Sequence, residues 1–181
     1  VSADGGKTWQ LTAYSGEDGG YELSNGEKIK IITPKPIKAT ELTLPNSLGK
    51  GLADTYSKSA YEFYRLHDLP EQVNGVFIDR LPKGAKEWKK EKASLYDPEA
   101  ARYTLRGMFP VLWRGDMHIA KDKSLIAGIY PGFYITPSGE VDPYHQVFLY
   151  RSTDQGRSWK IQGRIPYVAD TTIDKKGIKR M

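Results

Sequence analysis

The sequence has no cysteine, which excludes a disulfide framework and any thiolate metal site. It has no apolar run near the roughly 18 residues that carry a helix across a bilayer, so no membrane span is expected. Histidine is scarce, and His67, His118 and His145 lack metal-ligand spacing, so neither a metal nor a cofactor is expected. No phosphate-cradling loop, Ser-His-Asp order or dinucleotide fingerprint is present.

What remains is a turn-rich globular composition. The 181 residues are 39% hydrophobic and 12% aromatic, with 18 Gly and 11 Pro, enough for one domain with a real core. The net charge of +5 comes from 27 basic and 22 acidic residues. Its basic clusters, "KGAKEWKKEK" (Lys83 to Lys92) and "DKKGIKR" (Asp174 to Arg180), are not interleaved with exposed aromatics. They read as solvated faces, and no nucleic-acid partner is expected.

One sentence is written more than once in this chain. "SADGGKTW" (Ser2 to Trp9) and "STDQGRSW" (Ser152 to Trp159) share Ser-x-Asp-x-Gly-x-(Ser/Thr)-Trp. Sliding "VFLYRSTDQGRSWK" back by 71 positions superimposes it without a gap on "VFIDRLPKGAKEWK" (Val76 to Lys89). In that middle copy Leu81 and Lys83 replace the Ser and Asp. Each copy predicts a hairpin. β-Branched and aromatic residues precede the turn, and Ser and Asp oxygens accept backbone N–H bonds within it. Gly takes a positive φ there, and Trp buries its area beside it.

The motif resembles the Asp-box of bacterial neuraminidases and related β-propellers, through Ser2, Asp4, Gly6, Thr8, Trp9 and Ser152, Asp154, Gly156, Ser158, Trp159. The resemblance implies an all-β chain built of four-stranded antiparallel blades, each box joining the third and fourth strands, in a propeller six-bladed when complete. On that template residues 1–19 end one blade and 20–96 form a second with a long insertion. Residues 97–166 form a third, and 167–181 lead into the next. The chain is thus expected to hold about two and a half blades of a longer propeller, the remaining blades lying elsewhere. Within the insertion, "LADTYSKSAYEFYRL" is read as a short helix.

The resemblance places a substrate on the rim opposite the boxes, formed by "YDPEAARYTLRGMF", "YPGFYITPSGEVDPYHQ" and the insertion. Sialidases bind a substrate carboxylate with three arginines, attack with a Tyr whose proton a Glu takes, and use an Asp as acid/base. The catalytic candidates here are Arg102, Arg106, Tyr130, Glu140 and Asp142, with Arg114, Asp97, Glu99 and Tyr144 beside them. Arg151 lies in a boxed hairpin, and Arg164-Ile165-Pro166 copies a tripeptide that carries one of the family's arginines. The expected activity is hydrolysis of terminal, plausibly acidic, sugars, with a glycan or sialoside as ligand. By resemblance the protein is secreted, periplasmic or at the cell surface. The rivals are a non-catalytic propeller that binds carbohydrate or protein, and a scaffold that exposes a broad apolar patch.

Overall fold

A computed structural model describes residues 7–8, 20–52, 60–110, 117–142, 146–166 and 172. The box at Ser2–Trp9, and Arg114, Tyr144 and His145, lie outside these, Lys7 and Thr8 excepted. The strands are β1 (Tyr21–Glu22), β2 (Lys28–Ile31), β3 (Ile37–Lys38), β4 (Gly49–Leu52), β5 (Ala60–Arg65), β6 (Val76–Leu81) and β7 (Lys89–Tyr96). They continue with β8 (Ala100–Leu105), β9 (Met108–Phe109), β10 (Met117–Ile119), β11 (Leu125–Tyr134), β12 (Gln146–Ser152) and β13 (Ser158–Pro166). Among the described residues helix is confined to two 3-10 turns, Ala39–Glu41 and Leu66–Asp68.

The chain is all-β, and its strands join into one large mixed sheet that does not close. Within it, β1-β2-β6-β7 and β10-β11-β12-β13 are each a four-stranded antiparallel meander. The two meanders meet through a short parallel pairing of Ser158–Lys160 with Ser94–Tyr96. Ile29, Ile31, Val76 and Ile78 of the first share a single buried cluster with Leu125, Phe148, Tyr150 and Trp159 of the second.

The long insertion builds structure of its own. Between β2 and β6 it supplies β3, β4 and β5, which pair with the β8–β9 hairpin as β4-β5-β8-β9-β3. β8 then joins the end of β11. The segment read as a helix is therefore corrected: Ala60–Arg65 is a strand, and residues 53–59 lie outside the described ones. The reason is aromatic packing at period two. Tyr61 and Phe63 point to one face, where Tyr61 meets Tyr103 at 4.6 Å and Phe63 meets Phe133 at 4.8 Å between ring centroids. The stretch Tyr96–Phe109, expected on the substrate rim, likewise holds the β8–β9 hairpin.

The turn between β12 and β13 shows what the repeated motif does. Gly156 N–H donates to Ser152 Oγ at 2.8 Å, and that hydroxyl donates to Asp154 Oδ1 at 2.7 Å. Asp154 also accepts from Ser158 N–H (2.9 Å) and Ser158 Oγ (2.6 Å). Gly156 has φ 84°, and a Cβ there would collide with Ile29 of the neighbouring meander. Trp159 is fully buried and donates its indole N–H to Gly156 O at 3.1 Å. In the middle copy, with Leu81 and Lys83 in place of Ser and Asp, Trp88 is only half-buried, and Lys30 Nζ sits 4.4 Å from its ring centre.

Burial pushes the Asp154 carboxyl upward, but the bonds from Ser158 and Ser152 outweigh it and hold it below its ordinary range. Ser152→Ala leaves Gly156 N–H buried without its acceptor, and should cost about 1–3 kcal/mol in denaturant titrations. Because the folded Asp154 is the stronger acid, its charge stabilises fully above the unfolded value of about 3.9. That contribution disappears as pH falls through the lowered folded value. The stability difference between wild type and Asp154→Asn should therefore be flat above about pH 4 and shrink below it, measured by chemical denaturation across pH.

Candidate functional site

The box turn and the β10–β11 turn lie at one rim of the second meander. The other rim gathers the ends of β11, β12 and β13 with residues 97–99, and charge concentrates there. Asp97 is fully buried and accepts from Tyr150 Oη at 2.9 Å and from Arg164 at 3.4 Å. Arg164 also holds Glu99 at 2.6 Å, and its guanidinium lies 4.6 Å from the Tyr134 ring centre and 5.3 Å from that of Phe148. Burial first, and then the Asp97 carboxylate, push the Tyr150 phenol well above its ordinary value, so it stays protonated.

Arg102 is the anomaly of this region. It is buried and donates to Pro110 O at 3.3 Å, while its Nε has no hydrogen-bond partner among the described residues. Burial lowers its pKa to about 10. A buried cation without a carboxylate is costly. Arg102 lines two narrow clefts, each with about 20 Å³ of free volume. That is room for a water molecule, not for a sugar.

A larger groove lies between β4–β5 and the loop after β11. Leu48, Gly49, Lys50, Gly51, Tyr61, Phe63 and Phe133 line it together with Gly139, Glu140 and Val141, around about 290 Å³ of free volume. Its floor is the aromatic cluster. One wall is the insertion, and the other is the 135–141 loop, where Thr136 N–H donates to Glu140 O at 2.8 Å. Lys50, at the mouth, lies 4.0 Å from Glu62.

The structure thus assembles Asp97, Glu99, Arg102 and Arg164 in one region and sets Glu140 on the groove wall. Asp142 accepts from Gln146 Nε2 at 3.3 Å near the same rim. Arg106 sits apart at the β8–β9 turn with φ 53°. Tyr130 is 55% exposed on the outer face of the second meander, away from these groups. Arg151 belongs to the box rim, where it pairs with Asp122 and donates to Ser124 Oγ at 2.9 Å. Tyr61, Phe63 and Lys50 are not among the sequence candidates, since a helix over 52–66 hides the common face of Tyr61 and Phe63, and nothing local singles out Lys50. The alternation in "AYEFYR" was the available signal. Among the described residues no His/Cys/Asp/Glu cluster could hold a metal, and no helix is long and apolar enough to cross a membrane.

Comparison with protein-family models, with curated proteins and with solved structures finds no match for this chain.

Half-buried Arg164 and buried Arg102 should respond oppositely to the same change. Arg164→Met leaves the Asp97 carboxylate buried without its cation and should destabilise by about 3–5 kcal/mol. Arg102→Met removes a cation that has no carboxylate, and should be neutral or stabilising by up to about 4 kcal/mol. Thermal and urea unfolding of both variants reads the contrast directly.

Proposed function

We propose that the chain is part of a sialidase-like β-propeller and that it binds an acidic sugar without hydrolysing it. The groove carries this reading: its aromatic floor suits the apolar face of a sugar ring, and its volume is near the lower end of ligand pockets, about 300 Å³. Lys50 offers an ammonium to a carboxylate, and Glu140 offers an acceptor for ring hydroxyls. Two antiparallel meanders with matching turns support their reading as neighbouring blades of a six-bladed propeller. Such a glycan-binding module would work in a secreted, periplasmic or cell-surface setting.

A second reading is hydrolysis, favoured by Arg102 lying close to the Tyr150–Asp97 pair. In it Arg102 holds the substrate carboxylate, and Tyr150 Oη bonds to the anomeric carbon as Asp97 takes the phenolic proton. The glycosidic C–O bond breaks with its oxygen protonated from water, and a second water then hydrolyses the tyrosyl–sugar bond to restore Tyr150. Against it stand the burial of Tyr150 and Asp97, the water-sized cleft, and the engagement of Arg164 by two carboxylates.

Calorimetric titration of the chain with sialic acid, glucuronic acid and glucose tests the binding reading. The acidic sugars should bind more tightly than glucose. Lys50→Glu should weaken the acidic sugars about tenfold or more and leave glucose unchanged. Absence of binding by any of them overturns the proposal. Release from a fluorogenic sialoside that disappears in Arg102→Met would move the assignment to hydrolysis.

A further inference from the structure

The charge of Arg102 is not answered within the fold. The residue is 8% exposed, its Nη2 donates to Pro110 O at 3.3 Å, and its Nε has no partner among the described residues. A neutral carbonyl satisfies a donor but does not cancel a buried charge. The acidic residues on neighbouring elements are engaged elsewhere. Asp97 and Glu99 hold Arg164, Glu62 lies by Lys50, and Glu71 lies by Lys92.

The Pro110 bond locates the head of the side chain. Pro110 lines the first of the two clefts described above, so Nη2 stands at that cleft. Nε–H and Nη2 share one edge of the planar guanidinium, so the unpartnered donor looks to the same side. β3 and β9 build the cleft: Ile37 pairs with Phe109, and both line it together with Val73. Val73 and Phe109 are buried in a small apolar cluster separate from the main core, and Ile37 packs against it. Lys35 and Gln72 line the same cleft and are exposed, which puts them at its mouth. No carboxylate is among the lining residues.

Each property narrows what the cleft can hold. Two cationic side chains without a carboxylate repel cations and attract an anion. About 20 Å³ of free volume admits a single species near the size of water and excludes sulfate, phosphate or a sugar acid. Apolar walls return little of an ion's hydration, so a loosely hydrated ion enters at lower cost than a tightly hydrated one. We propose that this cleft is a halide site, in which a chloride ion neutralises Arg102 while Lys35 and Gln72 close it toward solvent. The walls come from both β3 and β9, so halide binding also holds these two-residue strands together.

Urea unfolding in mixtures of sodium fluoride with sodium chloride or bromide, at constant ionic strength, tests the site. Nonspecific salt action favours fluoride, because strongly hydrated anions strengthen burial. Halide binding runs the other way. Replacing fluoride by chloride or bromide should stabilise the wild type, each tenfold rise above half-saturation raising the folding constant about tenfold. Arg102→Met should lose this response, so any advantage it holds in fluoride shrinks as chloride or bromide rises. Lys35→Glu should weaken the halide about tenfold or more, and Lys50→Glu should leave it unchanged, which separates this site from the sugar groove. In the wild type, amide hydrogen exchange across β3 and β9 should slow in bromide relative to fluoride. Equal responses of wild type and Arg102→Met overturn the proposal, as does a wild type that is never more stable in bromide than in fluoride. Should Arg102→Met fail to fold, exchange in β3 and β9 that is the same in both salts overturns it.

Discussion

The structure depends on one guanidinium. Arg80 spends each of its nitrogens on a different element: Nε on the last strand of its own meander, one terminal nitrogen on the β1–β2 turn, and the other on the box turn of the next meander. Only a planar, permanently charged fork can make three directed bonds at once from a buried position. The carbonyl of Gln155 is available because the preceding turn is rigid. Ser152, Asp154 and Ser158 satisfy one another, and Gln155 and Gly156 both hold positive φ. The turn is thus a prefabricated plug, and Arg80 with its two glutamates is the socket.

From that contact follows the inverted burial of two strands that are equivalent in sequence. β6 and β12 both alternate, yet β6 hides its Val-Ile-Arg face while β12 hides its Phe-Tyr-Ser face. Two similar sheets packed in series cannot bury the same face, since each must offer one side to the neighbour before it and the other to the neighbour after it. The large residues, Phe148, Tyr150 and Trp159, fill the joint from the second sheet. Val76, Ile78 and Ile29 form its smooth side. A strand in such an array is apolar on both faces, which explains why "VFLY" and "VFID" read as apolar runs rather than as alternation.

This dictates how much was legible in the sequence. The strands flanking the boxes could be read because β-branched and aromatic runs bracket a turn with strong local chemistry. The β1–β2 and β10–β11 turns could not be matched, since "SNGE" and "KDKS" share no residue in register. Their likeness is a side-chain oxygen two residues before a backbone N–H and a positive φ between, which several residue types provide. The insertion hid the correspondence further by changing the spacing between turn and box. It also hid its own strands: β3 and β9 have two residues each and exist through long-range pairing, which no local window reports. Of the site, Asp97 and Arg102 were visible as residue types in the right connection. The Asp97 partners Tyr150 and Arg164 are contributed by strands 53 and 67 residues further along, and only the fold joins them.

The two rims of the second meander therefore do different physical work. At the box rim nearly every polar group is spent locally: carboxylates face hydroxyls and backbone N–H groups, and arginines face carboxylates and carbonyls. Such a surface is well suited to locking one sheet on another. At the opposite rim the accounts do not balance. Arg102 is desolvated without a carboxylate, and Arg164 keeps a buried Nε without a partner. A fold selected for stability alone gains from replacing Arg102 with an apolar residue. Retaining a buried cation that lacks a carboxylate is the cost on which the proposed anion-binding role of this rim rests.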